Sequence, residues 1–181
     1  VALMEALVAE AAGLGAPAAQ DPDTHALLAA VAKRSAESPS QVSLRDALID
    51  PGDGPRGAVA SALGMALGGL RTTAFVSGDD LVMARDLLAQ AAAWQVPLVI
   101  HAACTAGGGP TRATGDGHHG YHAVADTGVV QLFARNVQDA VDLTLVARRV
   151  AEEALVPVLV AMDAEATGRT AAQVRLPSAQ A

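Results

Sequence analysis

Only 17% of the 181 residues are charged and only 2% are aromatic, and Lys33 is the single lysine among 12 lysines and arginines. The charge is mostly acidic, a net −7, which argues against nucleic acid or an anionic membrane surface as partner. The one cysteine, Cys104, excludes a disulfide framework and a cysteine zinc cluster. No apolar run reaches the roughly 18 residues needed to span a bilayer. No basic-plus-apolar leader is visible, so the chain is expected in the cytoplasm.

Apolar residues make up 51% of the chain, too many for a disordered one. Alanine alone supplies roughly a quarter, far above ordinary usage. Alanine richness and arginine in place of lysine look like genome bias, and no function follows from them. The length suits one domain or a large part of one: an α/β domain over 1–170 and a polar tail over 171–181. The chain reads as a small subunit or a piece of a longer protein.

Apolar residues at helical spacing predict a helix from Ala2 to Leu14, ended by Gly13 and Gly15. A second helix starts with Asp21 as cap and Pro22 in its first turn, running through "THALLAAVAKR". "SAESPS" is a loop, and "QVSLRDALI" fits a strand or a short helix. After the breaker Asp50–Pro55 comes a helix of small residues over 57–69, stopped by Gly68-Gly69. Strands are then predicted near 71–77, 97–103, 129–134 and 157–162, with helices over 79–95 and 137–154 between them. Asn136 is the expected cap of the last helix. Short apolar strands alternating with helices define an α/β fold, a mostly parallel sheet with helices on both faces.

In such a sheet ligands bind beyond the carboxyl ends of the strands. Those ends carry Ser77-Gly78-Asp79, Cys104-Thr105 with a glycine-rich loop to Thr127, Arg135-Asn136, and Asp163-Ala164. Ser77, Gly78 and Asp79 open a helix, where backbone amides can hold an anion, although Asp79 and Asp80 already fill the positive end and capping is the simpler role. The loop holds Asp116, His118, His119 and His122. Their spacing offers metal ligands, but three histidines on one loop do not fix a coordination geometry, and no metal is assigned. Cys104 beside histidines has the elements of a nucleophilic pair, yet no activating base is evident and a buried, inert thiol is the plainer reading. Arg112 could meet a carboxylate or a phosphate. Trp94, near a helix end, is expected to pack.

From Gly57 to about Thr170 the chain resembles the first domain of the pyruvate:ferredoxin and 2-oxoacid:ferredoxin (flavodoxin) oxidoreductases. The segments that carry the resemblance are "GAVASALGMALGGLRTTAFVSGDDLVM", "AAAWQVPLVIHAA", "GDGHHGYHAVADTG" and "ARNVQDAVDLTLVARRVAEEALVPVLVAMD". The most specific are His101-Ala102-Ala103, Thr127-Gly128 and Asn136 through Ala140. The resemblance implies the α/β pyrimidine-type module of thiamine diphosphate enzymes, the cofactor lying with magnesium at an interface. It implies a homologous or pyrophosphate-binding partner domain, an iron–sulfur electron-transfer subunit, and a homo- or hetero-oligomer. It implies oxidative decarboxylation of a 2-oxoacid. No catalytic residue is assigned, Arg112 and His118 being candidates, and Ser77, Gly78 and Asp79 at the strand end are the candidate cofactor contacts.

Three departures set this chain apart from the family it resembles. A glutamate just before the small-residue helix activates the aminopyrimidine in the family, and Pro55 or Arg56 stands there here. An early threonine that meets the substrate is replaced by Asp21. An anion-binding arginine after the "HAA" strand is replaced by Thr105, with Arg112 as a conceivable substitute. Proline carries no acid, an aspartate repels a carboxylate, and the bidentate clamp is gone. At a few kcal/mol each, such losses lower turnover by many orders of magnitude. The expectation is a domain inactive alone, dependent on partners, with a non-catalytic assembly or regulatory homologue as the alternative. A metal or cysteine hydrolase built on His118, His119, His122 or Cys104 is the remaining reading.

Overall fold

The computed structural model describes residues 11–14, 55–105, 117–165, 167 and 171–175. The described elements are β1 (Ala11–Leu14), α1 (Pro55–Leu67), β2 (Thr72–Ser77), α2 (Gly78–Met83), α3 (Arg85–Ala93), β3 (Val99–Cys104), α4 (His119–Ala123), β4 (Val130–Ala134), α5 (Val137–Ala154) and β5 (Val158–Asp163). The strands form a five-stranded sheet in the order β1-β2-β3-β5-β4, every pair parallel. The helix from Asp21, the segment "QVSLRDALI", Arg112 and Asp116 lie outside the described residues.

Parallel strands with helices on both sides must be apolar on both faces, and the alternation within each strand sorts the two cores. Ile100, Ala102, Leu159 and Ala161 meet Val59, Leu63, Leu81 and Leu88 of α1, α2 and α3. Val99, Val158 and Val160 face Ala147 and Ala151 of α5. The abundant alanines hold short-range contact here: Ala62, Ala84, Ala91, Ala147 and Ala151 are fully buried. Arg148 is buried as well, and its Nη1 donates to the Thr72 carbonyl at 3.0 Å, tying α5 to the amino end of β2.

The predicted strands and the helices over 57–69 and 137–154 are present within two residues at each end. Gly69 takes φ +89 where α1 stops, and Leu70 N donates to Met65 O at 3.2 Å to close the turn. Asn136 caps α5, its side chain accepting from Asp139 N at 2.9 Å.

Four expectations need correction. Ala11–Leu14, read as the end of a helix, is strand β1, paired in parallel with Thr72–Phe75; pairing with a neighbouring strand overrides the helical preference of alanine. The helix over 79–95 is two helices, α2 and α3, meeting at the buried Ala84, whose φ of −103° and ψ of 8° leave the helical region. The span 104–127, read as one long loop, contains helix α4. Trp94 does not pack inward: it is 55% exposed at the end of α3, because Leu88 and Ala91 take the core-facing positions.

Candidate functional site

Three strand ends lie side by side. Ser77 is paired with Ala103, and Cys104 with Asp163, so the ends of β2, β3 and β5 form one ledge. The chain leaves β2 directly into α2 through a capping box. The Ser77 hydroxyl accepts from Asp80 N at 3.2 Å, and the Asp80 carboxylate accepts from Ser77 N at 2.9 Å. Ser77 therefore spends its hydroxyl and its N–H on the helix start. Gly78 is buried against the end of β3: a Cβ there would stand 3.3 Å from Cys104 Cα and 3.4 Å from its sulfur.

Helix α4 covers this ledge. Its Gly120 rests on the Gly78 carbonyl, leaving no room for a side chain. His119 Nε2 lies 3.0 Å from Asp79 Oδ1, and His118 Nε2 lies 3.4 Å from Asp163 Oδ2. The His118 ring also meets Phe133 edge-on at 4.9 Å. The chain is held after α4 by Val124, fully buried, and by Thr127, whose hydroxyl donates to the Val124 carbonyl at 2.7 Å. Gly128 follows with φ +87, so the Thr127-Gly128 pair is a local anchor with a turn only glycine adopts readily.

Adjacent histidines thus diverge to two different aspartates, while His122 turns away to meet Tyr121 edge-on at 5.4 Å. Among the described residues no group of three or more histidine, cysteine, aspartate or glutamate side chains is arranged to hold a metal ion. Cys104 is buried, and its thiol is pushed up to about 11 by that burial, with Asp163 and Asp79 adding to it. This is the wrong direction for a nucleophile, so the cysteine hydrolase reading loses its attacking group. Tyr121 is raised too, by burial first and by Cys104 second. Asp163 is marked in the sequence by its place at a strand end, whereas Tyr121 carries no signal of its own.

An all-parallel sheet with both faces covered, and with polar groups gathered at its carboxyl ends, defines a doubly covered α/β ligand-binding domain. Residues 53–181 match the family described as pyruvate flavodoxin/ferredoxin oxidoreductase, thiamine diphosphate-binding, and the chain belongs to that family. Pyruvate synthase subunit PorA of Pyrococcus furiosus is 31% identical over 122 residues, covering 66% of this chain and 31% of that protein. The same subunit of Thermotoga maritima is 31% identical over 115 residues, 62% of this chain and 29% of that protein. The chain therefore spans about a third of the length of these curated relatives. Among solved structures, 2-oxoglutarate:ferredoxin oxidoreductase from Magnetococcus marinus, with 2-oxoglutarate, coenzyme A and succinyl-CoA bound, superposes with a TM-score of 0.61 at 15% identity. That superposition covers 99% of this chain and 33% of that one, and it shows the shared fold.

Among the described residues, the first turn of α1 offers no acid where the family resemblance places one. Helix α1 opens with Pro55 and Arg56 and has no acidic residue in its first turn. The Arg56 guanidinium is taken by an ion pair with Asp86 of α3. The carboxylates on the ledge, Asp79 and Asp163, face His119 of α4 and its cap residue His118. Thr105, where the family resemblance places an arginine, is exposed. No helix of the described residues is long and apolar enough to cross a membrane.

Proposed function

We propose that this chain is the pyrimidine-type domain or subunit of a thiamine diphosphate-dependent 2-oxoacid:acceptor oxidoreductase, acting in the cytoplasm. The observation that carries this reading is the family match over 53–181 on an all-parallel sheet. Thiamine diphosphate and magnesium would lie between the Ser77-Gly78-Asp79 end of β2 and a pyrophosphate-binding partner. Electrons would leave through an iron–sulfur subunit, because one cysteine cannot hold a cluster. Arg112 and His118 are the side chains proposed to face the 2-oxoacid. Calorimetry with thiamine diphosphate and magnesium tests the reading, on the chain alone and on its complex with the neighbour-encoded subunits. Binding by the complex and none by the chain alone is the expected result. A complex that forms yet never binds the cofactor refutes it.

A second reading is favoured by the opening of α1: the domain no longer activates the cofactor and serves its assembly as a structural partner. Pro55 has no acid to offer, and Arg56 is engaged by Asp86. Exchange of the coenzyme's thiazolium proton for deuterium, followed by NMR in the complex, separates the two. No acceleration over free coenzyme is expected from the wild-type chain, with acceleration in Pro55→Glu. Fast exchange in the wild type rules the structural role out.

A further inference from the structure

Helix α4 is five residues long, far below the roughly 12–15 at which helices hold their own in water. His118 caps it without a side-chain bond, and Gly120 is its one buried residue. Its stability is therefore borrowed from what it touches. Its two ends are held differently. At the carboxyl end, Gln131 Nε2 donates to the Tyr121 carbonyl at 2.6 Å, Arg85 Nε donates to the Ala123 carbonyl at 3.3 Å, and the chain is anchored at Val124 and Thr127. At the amino end the hold is His118 against Asp163 and His119 against Asp79, with Gly120 seated on Gly78. Both side-chain contacts are part-exposed, with accessibilities of 39% and 36% for the first and 53% and 61% for the second, and at 3.4 Å from Asp163 the His118 Nε2 makes no hydrogen bond. Pairs of that kind contribute little each, and segments with few buried contacts open locally without global unfolding.

We propose that α4 is a latch: it closes over the ends of β2, β3 and β5, is held at its amino end by His119 against Asp79 and by His118 against Asp163 and Phe133, and pivots at Val124 to open them. The groups beneath and around it are Cys104, Asp79 and Asp163, with Glu165 beside Asp163 through its backbone N–H. The Gly120–Gly78 seat makes closure close to all-or-none, because backbone meets backbone with no side chain to give way. That a ligand uses the opened ledge rests on the thiamine reading above; the motion itself does not.

Cys104 is the only cysteine, is buried against Gly78 and interacts with Tyr121 of α4, so its labelling reports opening at one site. The full chain without cofactor is treated with dithiodipyridine, a neutral aromatic disulfide, at fixed pH and rising urea. The expected wild-type rate is slow and nearly independent of urea well below the unfolding transition. The double variant His118→Ala, His119→Ala is expected to label roughly tenfold faster, through loss of the His119–Asp79 contact and of the His118 contacts with Asp163 and Phe133. Hydrogen exchange supplies a second measurement: amides 119–122 of the wild type should exchange faster than those of α5, and faster still in Asp79→Asn, Asp163→Asn. Labelling that follows only global unfolding, or a folded histidine variant that labels at the wild-type rate, overturns the latch. So do amides 119–122 as protected as those of α5. Because no cofactor is present, failure of the thiamine reading leaves these outcomes untouched.

Discussion

Gly120 lies so close to Gly78 that a Cβ on it would stand 1.8 Å from the Gly78 carbonyl oxygen. Two glycines from distant parts of the chain thereby let a short helix sit flat on the end of a sheet. Backbone cannot yield as a side chain tip can. Gly120→Ala is expected to lower stability by about 3 kcal/mol, by forcing α4 off its seat or straining the β2–α2 turn. Gly64 is the contrast: it lies inside α1, exposed, and a methyl group added there would meet nothing within 4 Å. Gly64→Ala should raise stability by about 0.5–1 kcal/mol. Denaturant unfolding of both variants checks the pair, and equal effects would contradict the close approach.

The Cys104 thiol makes folding sensitive to alkaline pH. In the unfolded chain it titrates near its ordinary 9.0, and in the folded chain near 11. The folded state therefore keeps a proton that the unfolded state gives up. The thiol's contribution to stability is whole below about pH 9 and is lost as pH rises toward about 11. The unfolding free energy of the wild type should fall more steeply between those limits than that of Cys104→Ala. Parallel slopes would show that the thiol is not shielded.

Arg148 joins α5 to β2 from a buried position, through its bond to the Thr72 carbonyl. Arg148→Ala removes both the packed stem and the donor, and a loss of about 3 kcal/mol is expected. Arg148→Met keeps most of the stem and should recover part of that loss. Thermal melting of the two variants decides it; no difference between them would assign the whole effect to the hydrogen bond.

Asn136 caps the longest described helix through Asp139 N. Asn136→Ala should cost about 1 kcal/mol, while Asn136→Asp, which also accepts that bond, should stay within a few tenths. Circular dichroism during urea unfolding measures both. An alanine variant as stable as the wild type would show that Asn136 is not the effective cap.

Legibility in the sequence follows the range of the interactions concerned. Val99-Ile100 and Val158 through Ala161 are short apolar runs rich in β-branched residues, and alternation with helices marks them as buried parallel strands. Asn136 and the Gly68-Gly69 stop are read from neighbours a few residues away. Ala11–Leu14 reads as helix because alanine is content in either state, and its strand is defined by pairing with Thr72–Phe75. Trp94 reads as a packing residue because which face of α3 turns inward depends on α1 and the sheet. The site is legible only in outline: the strand ends can be located, but not what covers them.

The amino-acid order by itself determined the alternating strands and helices, the helix stops and caps, the family, and the absence of an acid at the opening of α1. These are matters of composition and local spacing. Tertiary structure alone decided that His118 and His119 part company toward Asp163 and Asp79, that the buried Cys104 feels both of those carboxylates, and that Gly120 finds Gly78. Each of these joins residues tens of positions apart, and only the parallel sheet, by aligning the ends of β2, β3 and β5, brings their side chains within reach.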